Sequence, residues 1–161
     1  MSQADRSVEE APDHPDLPVK PPLVFLFATV VGLGLHRLAP MRAVPEGWAV
    51  SGFVLVGAAA VLLSWSLGQF RKHETSVRPW KPTRVILERG PFAFSRNPIY
   101  LSFALLQLGI GVGADRLAVV LMLVPAVLAT HVIIIAREEA YLDRKFGPEY
   151  VGYKARVRRW V

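Results

Sequence analysis

Apolar residues along this chain gather in four runs that are separated by short polar stretches. The runs at 48–68 and 117–136 each contain about twenty residues and no Asp, Glu, Lys or Arg. Because a helix of about 20 residues crosses the roughly 30 Å hydrocarbon core of a bilayer, both runs predict transmembrane helices. The run at 23–39 carries charge near its end, and the fifteen residues at 99–113 cover only about 22 Å as a helix. The pattern predicts an all-α integral membrane protein with about four transmembrane helices.

The polar stretches divide the chain into three parts. We expect residues 1–22, which are rich in proline and acidic side chains, to form a disordered tail rather than a signal peptide. Residues 23–70 are expected to hold two scaffold helices, and residues 71–161 a membrane-proximal connector, a helical hairpin and a C-terminal helix. After a break at Gly147 and Pro148, the last helix is predicted to be amphipathic and to lie on the bilayer. Its apolar side chains recur every three or four residues, at Tyr150, Tyr153, Val157 and Trp160.

Composition and charge narrow the class of protein further. Hydrophobic residues make up 52% of the chain, cysteine is absent, and the four histidines have no metal-ligand spacing, so we expect neither thiolate catalysis nor a metal site. The net charge of +6 is compatible with nucleic acid binding, but the basic residues are not spread evenly. Seven Lys or Arg lie between 69 and 98, and seven more follow residue 136. By the positive-inside rule these segments and both termini are cytoplasmic, and anionic membrane lipid is the expected partner rather than nucleic acid. The sequence does not indicate an oligomeric state.

Two adjacent carboxylates stand where the last apolar helix leaves the membrane. At this depth at least one of Glu138 and Glu139 must face protein or lipid headgroups. Helical geometry places His131 and Glu138 on one stripe and Glu139 on another, so Glu138 is predicted to point inward. The alternative is a helix end whose carboxylates are both solvated.

A second polar motif opens the preceding apolar run. Arg96 and Asn97 supply a cation and an amide just before Pro98, which favours the start of a helix, and Tyr100 follows in its first turn. The alternative is a lipid-phosphate anchor with an aromatic residue at the membrane interface. The two apolar runs 99–113 and 117–136 are so close in sequence that they predict a hairpin, which would bring this motif and the glutamates into one pocket at the membrane surface.

Several short segments, taken in order, resemble one membrane protein family. They are Gly90 to Phe92, Ser95 to Tyr100, His131 to Glu139, Phe146 and Gly147, Tyr150, Tyr153, Val157, and Arg159 with Trp160. Over roughly residues 80–160 the chain resembles the isoprenylcysteine carboxyl methyltransferase and phospholipid methyltransferase family. The resemblance implies methyl transfer from S-adenosylmethionine, at the cytoplasmic membrane face, to a lipid or to a lipidated small acceptor.

The resemblance also implies roles for particular residues. Carried over position by position, the cofactor contacts are Arg84, Val85, Ile86, Leu87, Phe92, Asn97, Pro98, Ile99, Tyr100, His131 and Glu138. We expect Arg96, Glu139 and Arg156 to be catalytic. Either arginine could bind an acceptor carboxylate, and Glu139 or His131 could deprotonate an amine acceptor. These residue types suit the cofactor, because a carboxylate can hold ribose hydroxyls or an ammonium group and aromatic faces attract a sulfonium.

The chain departs from the family pattern at two positions. Asn97 stands where the family usually has a histidine, so we expect no proton transfer there. Ile134 stands where isoprenylcysteine enzymes are expected to have an arginine for the substrate carboxylate, and Arg96, Arg137 or Arg156 would have to replace it. The acceptor alternatives are therefore a prenylcysteine carboxylate, a phospholipid amine and a small thiol. A different class of function, a non-catalytic membrane scaffold or assembly subunit with this family's shape, also fits the sequence.

Overall fold

The computed structural model describes residues 13–45, 47–73 and 83–161. Helix α1 spans Pro21–Leu38, α2 spans Val50–Lys72, α3 spans Pro98–Gly113, α4 spans Leu117–Phe146 and α5 spans Pro148–Arg156. A short 3-10 helix, Gly90–Ala93, precedes α3. The expectations for residues 1–12 of the tail and for residues 74–82 of the connector lie outside the described residues, as does Glu46.

The prediction of an all-α membrane fold is confirmed. The described part of the chain contains helices and no strand. Helices α1, α2 and α4 are long and apolar enough to cross a bilayer, and α3 is shorter, as its apolar run indicates. Large apolar side chains on the outer faces are exposed, with Phe27, Phe53 and Val132 each more than 60% accessible. Such surfaces are stable against lipid rather than water.

Helix α2 packs closely along α3 because glycines line the crossing. A Cβ atom added to Gly52 would lie 2.2 Å from the backbone N of Gly113 and 2.6 Å from the carbonyl O of Gly109. Between helices in lipid, small residues allow this backbone approach and the dispersion contacts that come with it. The crossing sets the position of α3, whose first turn carries Tyr100. Helix α1 packs on the other side of the bundle, against α3 and α4.

Helix α4 departs from regular α-helix at two places. Pro125 has no N–H for the carbonyl of Leu121, and the helix is interrupted at Met122. Residues Thr130–Ile135 then form a π-helical segment. Because a wider π turn adds about one residue, the residue that faces His131 shifts from Glu138 to Glu139. In agreement with this shift, His131 and Glu139 both contact Arg159, whereas Glu138 contacts Tyr100.

The C-terminal helix forms as predicted but covers protein rather than lipid. Gly147, with φ of 53°, separates α4 from α5 at the predicted break. Tyr150, Tyr153 and Val157 are buried against residues of the connector and of α4. The predicted contact between this apolar face and the bilayer is wrong, because the connector provides a closer apolar surface. The helix ends at Arg156, and Val157 is already extended.

The described end of the N-terminal tail contacts the last helices. The hydroxyl of Tyr141 donates to the carbonyl of Asp13 at 3.0 Å, and Lys145 pairs with the Asp13 carboxylate. Nη1 of Arg137 donates to the carbonyl of Asp16 at 3.0 Å. Within the expected disordered tail, residues 13–20 are thus placed against α4, and Pro21 already begins α1.

Candidate functional site

A cavity of about 420 Å³ lies where α2 ends, α3 begins and α4 leaves the bundle, and α5 closes it. This volume is in the range of small-molecule sites, which are typically about 300 to 1,000 Å³. Apolar and aromatic side chains form most of the wall, including Leu63, Leu67 and Phe70 of α2. The polar lining is concentrated on residues 96–100 and on the adjacent glutamates 138 and 139. The hairpin thus brings the two sequence motifs together, as its short turn indicates.

Glu138 and Tyr100 form the contact that joins the two motifs. Pro98 begins α3, so Tyr100 lies in the first turn and faces the end of α4. Its hydroxyl donates to Oε1 of Glu138 at 2.6 Å, across 38 residues of sequence. A neutral donor orients this carboxylate and leaves its other oxygen for a further donor. The pair can therefore accept hydrogen bonds from a ligand in the cavity.

Glu139 is bound by two arginines. Arg159 donates from Nε to Oε1 at 3.0 Å and from Nη2 to Oε2, so the guanidinium binds the carboxylate in bidentate fashion. Nη1 of Arg96 also lies 3.2 Å from Oε1. The side chains of Arg96 and Glu139 are only 12% and 11% exposed. Both glutamates therefore line the cavity, although they were expected on different stripes of the helix. They differ in their partners, which are Tyr100 for Glu138 and Arg159 for Glu139.

Residues of the C-terminal tail, 157–161, lie behind this part of the cavity wall and contact residues that line it. The backbone N–H of Arg96 donates to the carbonyl of Arg158 at 2.9 Å, and Nδ2 of Asn97 donates to the carbonyl of Arg159 at 2.9 Å. Trp160 packs against the buried cluster of Tyr100, Ile134 and Ile135. The amide of Asn97 thus holds the tail, which is a structural use of the position where the family has histidine.

His131 lies beside the tail and is absent from the cavity wall formed by the described residues. Nη1 of Arg159 is 2.8 Å from its Nε2, and the indole N–H of Trp160 is 3.2 Å from its Nδ1. A neutral imidazole accepts at only one nitrogen, so the shorter contact, with Arg159, is the one we assign as a hydrogen bond. In this structure His131 contacts the tail, and its expected contact with the cofactor stays a prediction.

Aromatic side chains form another part of the cavity wall. The hydroxyl of Tyr153 donates to the carbonyl of Phe92 at 2.8 Å, and Phe70 meets Phe92 edge to face with centroids 5.6 Å apart. Burial raises the pKa of the Tyr150 and Tyr153 hydroxyls well above 10, so both remain protonated donors at neutral pH. This wall presents ring faces and neutral hydroxyl groups.

Most of the residues predicted for the site line the cavity. They are Val85, Ile86, Leu87, Phe92, Arg96, Asn97, Pro98, Ile99, Tyr100, Glu138 and Glu139. Arg84, like His131, is not among the lining residues of the described chain. Arg156 is also outside, because its Nη2 binds both oxygens of Glu88 at 2.9 and 3.0 Å on an exposed surface. Of the three arginines suggested as replacements at Ile134, only Arg96 reaches the cavity.

Sequence reasoning missed several parts of the site. Arg159 belonged to a recognised motif, but its partner on α4 depends on the π-helical segment, which no sequence signal predicted. The spacing of Tyr150 and Tyr153 predicts an apolar helix face, but it does not indicate that this face lines a cavity. Phe70 and Pro15 line the cavity without any sequence signal. No group of three His, Cys, Asp or Glu side chains suited to a metal ion occurs among the described residues.

Four apolar helices enclose a cavity with polar side chains at one end, and they define the class: an integral membrane protein with a cavity of small-molecule size. The family model for phospholipid methyltransferases matches residues 48–149, and the chain belongs to that family. This confirms the resemblance drawn from the motifs. An uncharacterised protein of Haemophilus influenzae is 40% identical over 63 residues, which are 39% of this chain and all of that protein. No solved structure matches the chain.

Proposed function

We propose that this protein is an S-adenosylmethionine-dependent membrane methyltransferase that acts on a lipid or a lipidated small acceptor. The observation that carries the proposal is the Glu138 carboxylate, which Tyr100 orients toward a cavity of about 420 Å³ with a largely apolar wall. Membership of the phospholipid methyltransferase family supports methyl transfer and a lipid acceptor.

The residues of the cavity fit the proposed cofactor. Glu138 can accept from ribose hydroxyls or from an ammonium group, and the rings of Phe92 and Tyr150 offer faces for a sulfonium. Val85 to Leu87 line the cavity outside any helix, so their backbone groups are not committed to helical hydrogen bonds. When bound, the cofactor supplies a methyl group on a positively charged sulfur.

The protein's part in such a reaction is alignment and exclusion of water. Methyl transfer is an in-line displacement, so rate depends on holding the acceptor atom opposite the sulfur. A carboxylate or thiolate acceptor needs no base, whereas an amine must first lose a proton. Two of the predicted site residues could act as that base: Glu139 lies at the cavity and is bound by Arg159, and His131 lies outside the cavity. Arg96 lines the cavity beside Glu139 and can orient an anionic part of either substrate.

The apolar wall suits an acceptor that enters from the bilayer. Pro21 and Pro22 of α1 and Leu63 and Leu67 of α2 line the same cavity as the glutamates, so an acyl chain can lie against them. We further propose that the cavity and both termini face the cytoplasm. The basic residues that flank α2, α3 and α4 support this orientation through the positive-inside rule.

Binding of S-adenosylmethionine to the purified chain, measured by calorimetry, tests the proposal. We expect the wild type to bind and Glu138→Gln to bind at least about tenfold more weakly, because a hydrogen bond to a charged group contributes about 1.5 to 3 kcal/mol. Tyr100→Phe removes the donor that orients the carboxylate and should also weaken binding.

Glu149→Gln is the matched control, because Glu149 is an exposed carboxylate at the start of α5 and does not line the cavity. It should bind like the wild type. Absence of binding by the wild type would contradict the proposal and favour the non-catalytic scaffold. Unchanged binding by Glu138→Gln would show that the cofactor site lies elsewhere.

A further inference from the structure

Arg159 lies at the centre of the contacts around Glu139, although no sequence feature gave it a role. Its guanidinium binds both carboxylate oxygens of Glu139 and lies 2.8 Å from Nε2 of His131. The backbone carbonyl of the same residue accepts from Asn97. Three side chains from two segments of the chain therefore meet at one residue of the C-terminal tail.

Two cations are near one carboxylate, and they are not equivalent. Arg159 makes both hydrogen bonds to Glu139, whereas Arg96 lies 3.2 Å from Oε1 without the geometry of a hydrogen bond. Nε and Nη1 of Arg96 are buried, and no group in the described part of the chain accepts from them. Buried donors without an acceptor destabilise a structure, and charged donors do so most.

The place of Arg96 indicates what would satisfy those donors. The side chain lines the cavity, and its charge is not needed to neutralise Glu139 because Arg159 already does so. A planar guanidinium with free donors is well matched to a carboxylate or a phosphate, since both accept two parallel hydrogen bonds. An anionic oxygen group in the cavity would therefore complete the contacts of Arg96.

We infer that Arg159 is a positioning residue that holds Glu139 and thereby leaves Arg96 free to bind an anionic oxygen group of the ligand. This inference rests on the proposed function, because it assigns a partner within the same cavity. Without Arg159, Glu139 is left with Arg96 as its neighbouring guanidinium. The carboxylate then takes the donors of Arg96, and the cavity loses its site for the anion.

The test compares two probes that carry the anionic group differently. S-adenosylmethionine supplies a carboxylate, and dihexanoylphosphatidylethanolamine supplies a phosphate. Arg96 binds the anionic group of one of these probes. Arg96→Gln should lower the affinity for that probe by at least about tenfold, which corresponds to about 1.4 kcal/mol. Arg159→Met should lower the affinity for the same probe to a similar degree, although Arg159 itself does not line the cavity.

Removal of the competing charge separates positioning from simple damage to the fold. In the double variant Arg159→Met with Glu139→Gln, no carboxylate remains to take Arg96, so binding of the affected probe should return to near the wild-type level. Arg158→Met is the matched control, since it removes the same charge from the neighbouring exposed side chain and should bind normally. Thermal unfolding of each variant establishes that binding is measured on folded protein.

Each outcome decides between the inference and the proposed function. If the wild type binds neither probe, both the proposed function and this inference fail. If the wild type and Arg159→Met bind equally well while Arg96→Gln does not, the inference alone fails. The inference also fails if the folded double variant binds the affected probe as weakly as Arg159→Met does. Arg159 would then affect binding by a route that does not involve Glu139.

Discussion

The adjacent side chains of Glu138 and Glu139 differ in role because their hydrogen-bond partners differ in charge. Glu138 accepts from the neutral hydroxyl of Tyr100 through Oε1, so its other carboxyl oxygen remains available to a ligand. Glu139 is bound by the guanidinium of Arg159, which offsets its charge and fixes its orientation. In the proposed function, the same residue type thus serves as a ligand contact at one position and holds the tail at the next.

At the opposite end of the bundle, Asp115 joins two turns. The backbone N–H of Val44, with that of Ala43 and the guanidinium of Arg42, lowers the pKa of Asp115 below 3.8. A carboxyl group whose pKa is lowered on folding stabilises the protein above its unfolded pKa and loses that contribution as pH falls through the folded value. Asp115→Asn should therefore lower the melting temperature at pH 7, and the difference from wild type should shrink below about pH 3.8. Asparagine tolerates the φ of 52° at this position, so the change tests the charge.

Thermal unfolding in detergent at a series of pH values measures this difference. A constant difference between wild type and Asp115→Asn down to the lowest pH would mean that the carboxylate charge does not stabilise the turn.

The contact between Tyr100 and Glu138 was within reach of sequence reasoning, and the contact of Arg159 was not. The first depends on a proline that opens a helix and on a short hairpin turn, and both leave a signal in the sequence. The second depends on the π-helical segment Thr130–Ile135, which shifts the facing residue by one position. Its residues, Thr130 to Ile135, show the same apolar pattern as a regular α-helix.

At the scale of elements, the crossing of α2 and α3 holds the site in place. Gly52→Ala places a Cβ atom 2.2 Å from the backbone N of Gly113, so the helices must separate. We expect a loss of about 1 to 3 kcal/mol in stability, the usual cost of overpacking. In Gly57→Ala, on the same helix, the new Cβ atom meets nothing within 4 Å. This variant should be neutral or slightly stabilising, because Ala favours helix over Gly.

Melting temperatures of the two variants in the same detergent give the comparison. Equal stability of Gly52→Ala and Gly57→Ala would contradict the close crossing. Affinity for S-adenosylmethionine should fall in Gly52→Ala as well, since the crossing positions the first turn of α3.

The helices themselves follow from apolar run lengths, which predicted α2, α3 and the long α4 with its break at Gly147. The packing of α5 does not follow from such a pattern. An amphipathic stripe has the same spacing whether it faces lipid or protein. That the stripe of α5 packs against Ile86 of the connector is seen only in the folded structure. For the same reason the contacts of residues 13–20 with α4 had no counterpart in the sequence pattern.

The whole molecule places a polar site at one end of an apolar bundle. Polar groups that cannot be solvated in lipid are gathered where α3 begins and α4 emerges, and tail, connector and α5 cover them. A charged cofactor can reach such a site from water, while an acyl chain reaches it from the bilayer. These two routes of access are what the proposed function requires.

Transfer of an isotope-labelled methyl group in sealed membrane vesicles is the most direct measurement of this function. S-adenosylmethionine is charged and does not cross the bilayer, so it reaches the cavity only from the side on which it is added. In inside-out vesicles that contain the wild-type chain we expect labelled lipid or lipidated product, with much less from Glu138→Gln and from right-side-out vesicles. No label above the Glu138→Gln level would contradict methyl transfer at this cavity, and equal label in right-side-out vesicles would contradict its cytoplasmic orientation.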